Sequence, residues 1–200
     1  MMLPTHAAVG LALAAPLAIV APDLATAVLT GSLLGSVFPD LDLYAGHRRT
    51  LHYPTVYPIL AGIAAVVAFL LGTALAAGVA AFLLGAAAHC RMDRYGGGLE
   101  LRPWEGTSQR AVYDHVHGRW RRPKRWIEYD GSPGDLLLLT VLALPLLVVL
   151  DGPFRLVVVA CLVVGVTYVL LRRRLAAIAP AVFGLVPARL AQYVPERYRP

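Results

Sequence analysis

Residues 38–54 read FPDLDLYAGHRRTLHYP, and they join two of the most apolar parts of the chain while carrying two aspartates, two histidines and two arginines. Pro39 favours ending the preceding helix near this point. Asp40 and Asp42, two positions apart, then place both carboxylates on one side of an extended segment. How so much polar chemistry sits between apolar runs decides the fold.

Working outward, apolar runs occupy about 7–22 and 24–38 on the N-terminal side and 55–71, 73–89, 136–150 and 154–171 on the other. Their length and composition make each a helix candidate. The first four fall short of the roughly 20 residues of a full crossing, so they are expected as transmembrane or re-entrant helices. Tight turns at Asp23 and Gly72 pair them into hairpins, and Gly10, Gly31, Gly35, Gly62, Gly78 and Gly85 offer small faces for close packing. The chain is 58% hydrophobic and only 15% charged. That balance excludes an ordinary soluble domain and predicts an all-α polytopic membrane protein with about six helices.

A single membrane-embedded domain over 1–200 follows, in four stretches. Residues 1–105 hold the helical hairpins with the polar cluster, and 106–134 form a basic surface insertion. The C-terminal hairpin is expected over 135–174. The tail, 175–200, is interrupted by Pro180 and Pro187 and reads as interfacial. Within the insertion, RAVYDHVHGRWRRPKRWIEYDG alternates apolar and polar residues around a turn, which predicts a small β-hairpin. The opening MMLPTHAAVG lacks the basic n-region of a secretory signal, so the first run is expected to stay. Cys90 and Cys161 form no paired spacing, so no disulfide framework or thiolate metal site is indicated.

Hairpin topology gathers the polar residues. His6 opens the first run and Asp40 closes the second; His52 precedes the third and His89 ends the fourth. An up-down path puts all of these at one end, with Asp42, His47 and Asp93. His89 and Asp93 are four apart, on one face if the helix continues another turn. Thr5 is placed to orient His6 or to cap the first helix. The expected metal-ligand set is His6, Asp40, Asp42, His47, His52, His89 and Asp93. Mixed imidazole and carboxylate donors suit zinc, with manganese or iron as alternatives, better than magnesium or calcium. Seven candidates exceed one tetrahedral shell, so one or two divalent ions are expected. Asp42 is the candidate general base, and Arg48 the candidate partner for developing negative charge. His115 and His117 lie off this cluster and read as surface residues, and Trp104, Trp120 and Trp126 as interface markers.

Arg48, Arg49, the nine basic residues from Arg91 to Arg125 and Arg172 to Arg174 map to the same end, whereas the opposite turns offer only Arg155. The positive-inside rule therefore predicts a multi-pass cytoplasmic (inner) membrane protein whose site faces the cytoplasm.

Four ordered blocks, Thr5-His6 followed by Gly10, GSVFPDLD at 35–42, HRRTLH at 47–52, and HCRMD at 89–93 followed by a Gly-containing turn and Pro103, carry a resemblance. Over roughly its first hundred residues the chain resembles the inner-membrane metal-dependent hydrolases, also described as LexA-binding, inner-membrane-associated hydrolases. That resemblance implies a multi-span protein with metal-dependent hydrolase activity, its polar positions falling on His6, Asp40, Asp42, His47, Arg48, His52, His89 and Asp93. The chain departs from the family pattern at Leu51 and Tyr53, where hydroxyl residues flank the histidine in the family. Nothing in the chain identifies a surface for LexA, and no other protein partner is indicated.

The expected activity is hydrolysis of a phosphoester or lipid-type ester at the cytoplasmic face, with membrane lipids as partners and nucleic acid not expected from basic composition alone. The alternatives are a transporter of metal ions or protons, and a non-catalytic scaffold whose metal ties loops together. Transporter sites usually lie near the bilayer midplane. A cluster at one end favours the enzyme.

Overall fold

The computed structural model describes residues 1–198. Six α-helices account for most of the chain: α1 (Leu3–Val20), α2 (Pro22–Val37), α3 (Val56–Leu71), α4 (Ala74–Tyr95), α5 (Pro133–Val149) and α6 (Gly152–Gly184). They correspond one to one with the six apolar runs. Short 3₁₀ turns occupy Phe38–Tyr44, Pro103–Glu105, Ala188–Tyr193 and Glu196–Tyr198.

The helix boundaries have local causes. Pro22 opens α2 one residue after α1 ends, where a missing N–H costs no helical hydrogen bond. α3 stops at Gly72, whose φ of 64° suits a residue without Cβ. Thr73 then caps α4 by accepting from Ala76 N, and Ser132 caps α5 by accepting from Asp135 N.

α2 and α4 form the centre of the bundle, and glycine makes their approach possible. A Cβ on Gly31 would overlap the Gly78 backbone, one on Gly35 the Phe82 carbonyl, and one on Gly85 the Ser32 carbonyl. Gly62 differs from the expectation of close packing: an added Cβ there meets nothing within 4 Å. α1 lies against α2, and Ser32 Oγ donates to Gly10 O at 2.7 Å across their contact. Leu11, Val28, Leu29, Leu146 and Val158 fill one core cluster between α1, α2, α5 and α6. Tyr57, Ala86 and Cys90 fill another between α3 and α4.

α1, α4, α6 and the stretch from Pro22 to Tyr44 are long and apolar enough to cross a membrane; α3 and α5, at 16 and 17 residues, are apolar but shorter. Their outward faces are apolar too, with Val20, Phe69, Leu70, Leu75, Leu156 and Val148 each at least 70% exposed. So continuous an apolar exterior suggests membrane association.

α6 departs from the sequence reading. It does not stop near residue 171 but runs unbroken through Pro180 to Gly184. Proline inside a helix costs about 3 kcal/mol. Here it sits in the alanine-rich segment LAAIAPA, whose neighbours favour helix.

The insertion contains the expected hairpin. β1 (Val112–Asp114) pairs antiparallel with β2 (Arg119–Arg121), in the register Val112 to Arg121, Tyr113 to Trp120 and Asp114 to Arg119. The buried Asp114 carboxylate ties it together, accepting from Arg121 Nε at 2.8 Å, from Thr55 Oγ1 at 3.1 Å and from Val116 N at 3.1 Å. Backbone bonds from Tyr113 N to Arg48 O and from Lys124 N to Arg94 O seat the insertion on the ends of the hairpins.

Candidate metal centre

The segment after α2 is organised around one carboxylate. Asp42 is buried, and its Oδ1 accepts from Arg48 N at 3.2 Å while Oδ2 accepts from Arg49 N at 3.3 Å and Leu51 N at 3.1 Å. Successive N–H groups curled in this way form an anion-binding concavity, filled here by Asp42. The curl holds Arg48 at φ 60°, a left-handed conformation that bulky side chains rarely adopt. It also fixes two histidines, for His47 Nδ1 lies 3.1 Å from Oδ1 and His52 Nδ1 lies 2.9 Å from Oδ2.

His52 thereby points its other nitrogen inward. There it meets His89, carried on the last turns of α4, with the two Nε2 atoms 3.2 Å apart. His89 Nδ1 lies 2.7 Å from Ser36 O, a carbonyl that can only accept. Neutral His89 must therefore be protonated on Nδ1 and present a lone pair at Nε2. A neutral His52 donating from Nδ1 to the Asp42 carboxylate does the same. Two opposed lone pairs at 3.2 Å repel, and a proton on one ring or a metal ion between or beside them relieves the repulsion.

Asp93 and Asp40 complete the group. α4 continues past His89 to Tyr95, which brings Asp93 onto the same face: Asp93 Oδ2 is 3.1 Å from His52 Nε2 and 3.3 Å from His89 Nε2. Asp40 Oδ1 is 3.4 Å from His89 Nε2 and 3.8 Å from His52 Nε2. All four donor atoms lie within 4.8 Å of one another, and together they can hold a metal ion. Ligand bonds of about 2.0–2.1 Å in a tetrahedron imply ligand-to-ligand edges of about 3.3–3.4 Å. The spacings here bracket that edge. Behind the donors stand a carboxylate on His52 and a carbonyl on His89, the usual supports that fix a ligating imidazole.

The remaining sequence candidates surround this group. His6 stacks on His89 with ring centroids 3.8 Å apart, and its Nε2 is 3.3 Å from Asp93 Oδ1. Neither His6 ring nitrogen makes a hydrogen bond among the described residues. Arg48 is buried, donating from Nη1 to Gly97 O at 2.9 Å and placing Nη2 3.3 Å from Asp93 Oδ1. The Met1 amino nitrogen is 3.2 Å from the same oxygen. Asp42 stands behind His52, and His47 sits at the edge of the centre, 3.9 Å from Asp40.

Burial works against a charged His52, but its contacts with Asp42 and Asp93 outweigh it and raise its pKa. His47 goes the other way, because burial lowers its pKa more than Asp42 raises it. With the histidines neutral, three carboxylates, Asp40, Asp42 and Asp93, against Arg48 and the Met1 amino group leave one negative charge, which a proton on His52 or a bound cation offsets. The side chain of Asp40 is 23% exposed, whereas those of His52, His89 and Asp93 are at most 1% exposed. Asp40 therefore marks the accessible side.

Thr5 neither orients His6 nor caps α1. It donates to Asp135 Oδ1 at 2.7 Å, and Asp135 Oδ2 accepts from Met2 N at 2.8 Å. Asp135 was not evident as a key residue from the sequence, although Ser132 three positions earlier is a helix-start signature. At the two departures from the family pattern, the Leu51 backbone carbonyl accepts from the Tyr57 hydroxyl, and the Tyr53 ring stacks on His115 at 4.5 Å. His115 and His117 are exposed, as expected.

Comparison with protein-family models, with curated proteins and with solved structures gave no match.

Proposed function

We propose that this is a multi-pass membrane protein and a metal-dependent hydrolase, holding one divalent cation through Asp40, His52, His89 and Asp93. The observation that carries the reading is the pair of opposed Nε2 atoms of His52 and His89, each with its Nδ1 anchored. Two imidazoles and two carboxylates suit zinc best, with manganese or iron as alternatives. A second ion beyond Asp93 Oδ1 would meet the Arg48 guanidinium, which favours a single one. When bound, the ion supplies a Lewis acid that acidifies a water and polarises an ester oxygen.

The chain's own groups then have distinct tasks. Asp42 holds His52 and has both oxygens engaged, so its role is positioning rather than proton transfer. Arg48 balances the buried Asp93. Asp40 and His47 face the accessible side, and they are the groups placed to accept a proton from water and pass it on. The substrate class is a phosphoester or lipid-type ester. The family resemblance in the first hundred residues supports the same activity. Basic residues gather at this end while Arg155, at the other, pairs with Asp151, which supports a site facing the cytoplasm across the inner membrane.

The test is hydrolysis of a panel of phosphoesters and carboxylic esters by purified protein stripped with chelator and then reloaded with zinc or manganese. Turnover should return on reloading and be lost in Asp40→Asn. Equal turnover in stripped and reloaded protein would sink the reading, as would none across the panel with metal demonstrably bound.

A further inference from the structure

His47 links the metal centre to a cleft of about 850 Å³. Arg49, Arg110 and Arg197 line this cleft, against Glu100 as the acidic residue in the lining. None of the three arginines forms an ion pair among the described residues. Arg49 lies over the Tyr113 ring at 4.7 Å and Arg110 over Trp120 at 5.8 Å, contacts that occupy a guanidinium face and leave its edge donors free. Arg197 Nε is buried without a hydrogen bond among the described residues. Both Glu100 carboxylate oxygens are also buried without a hydrogen bond among the described residues, but three guanidinia against this one carboxylate leave the lining net positive, which favours an anion.

It does not end there. Leu43, Tyr44 and Pro195 also line a second, smaller groove of about 340 Å³. The far wall of that groove is α6, where Leu175, Ile178, Ala179, Val182 and Phe183 recur at helical spacing. Their place along α6 is unusual. At 1.5 Å per residue the 33-residue helix is about 50 Å long, against a hydrocarbon core of about 30 Å. Arg172 to Arg174 mark the interface at the site end. The stripe from Leu175 to Phe183 therefore extends past the part of α6 needed to span, and it faces a groove continuous with a cationic cleft.

We infer that the cleft and groove together bind one anionic glycerophospholipid, its phosphate among Arg49, Arg110 and Arg197 and an acyl chain along Leu175, Ile178 and Val182. This deepens the hydrolase reading, on which the fate of the lipid's ester bond depends; the binding itself depends only on the cleft and groove. A headgroup held there lies beside His47 and Asp40, on the accessible side of the metal centre.

Binding to the full chain in uncharged detergent, measured calorimetrically in zinc-loaded and in chelated protein, tests this. The probes are dioctanoyl phosphatidic acid, dioctanoyl phosphatidylcholine and glycerol 3-phosphate. Phosphatidic acid should bind at least tenfold tighter than either of the others. Arg110→Ala should weaken it at least fivefold, while Arg122→Ala, an exposed arginine on the same insertion but outside the cleft, should leave it unchanged. Ala179→Trp should fill the groove and weaken phosphatidic acid at least fivefold, with metal content at the wild-type level as the folding control. Equal affinity for glycerol 3-phosphate would remove the acyl groove. Equal affinity for phosphatidylcholine, or an equal loss in Arg122→Ala, would reduce the cleft to general surface charge. Either result overturns the inference while leaving the metal centre standing; specific lipid binding with no turnover across the ester panel overturns the hydrolase reading instead.

Discussion

Asp42→Asn probes the centre without touching any of the four proposed ligands. The wild-type carboxylate accepts three backbone N–H bonds and holds two imidazoles. Asparagine keeps one oxygen, and the better-served position is that of Oδ2, which faces Arg49 N, Leu51 N and His52 Nδ1. Its NH₂ then takes the place of Oδ1 and meets the Arg48 N–H, donor against donor. An unsatisfied buried donor costs about 1–3 kcal/mol. For a chain of this size that corresponds to a fall in Tm of about 2–12 °C, read by thermal unfolding in detergent. His52 keeps its tautomer but loses the charge behind it, and loss of such a support weakens metal binding by about 10–100-fold. Chelator competition on the purified variant reads that change. A lower Tm with wild-type metal affinity would refute the role of Asp42 in positioning His52. Wild-type values of both would refute its role in organising the loop as well.

Other perturbations separate other parts of the molecule. Arg48→Ala leaves Asp93 without its guanidinium partner, and breaking a buried pair costs about 3–5 kcal/mol, so detergent-extracted protein should lose most of its folded fraction on gel filtration. Gly35→Leu drives a side chain into the Phe82 carbonyl and should prevent α2 and α4 from packing, whereas Gly62→Leu should stay within about 0.5 kcal/mol of wild type in the same unfolding assay. Burial opposes ionisation of Asp114, but Arg121 and Thr55 outweigh it and bring its pKa to about 2. The folded pKa lies below the unfolded one, so its contribution is full above about pH 4 and fades as pH falls toward 2. Proteolysis of the 106–134 segment should accelerate over that window in wild type, and Asp114→Asn should be susceptible already at neutral pH.

The arrangement of the helices was legible because apolar length and alternation carry it. Two hairpins suffice to bring His6, Asp40, His52, His89 and Asp93 to one end, and the four-residue spacing of His89 and Asp93 needed only one further turn of α4. What sequence does not carry is backbone. Ser36 supports His89 through its carbonyl, which any residue would offer, and Asp42 differs from Asp40 only in the N–H groups that the following loop turns toward it. Arg48 reads in the sequence as a partner for developing negative charge, whereas the left-handed turn carries its side chain inward to Asp93. Gly35 and Gly62 look alike in sequence, but only Gly35 faces another helix. Pro180 reads as a helix terminator, yet its alanine-rich neighbours carry α6 past it and supply one wall of the apolar groove.

X-ray absorption at the zinc edge of the purified, zinc-loaded chain, with metal content measured on the same sample, tests the centre most directly. The expected result is one zinc per chain with four nitrogen and oxygen neighbours at about 2.0–2.2 Å and no sulfur, reduced by His89→Ala. Zinc that fails to bind, that binds through sulfur, or that is retained in full by His89→Ala would contradict the proposed site.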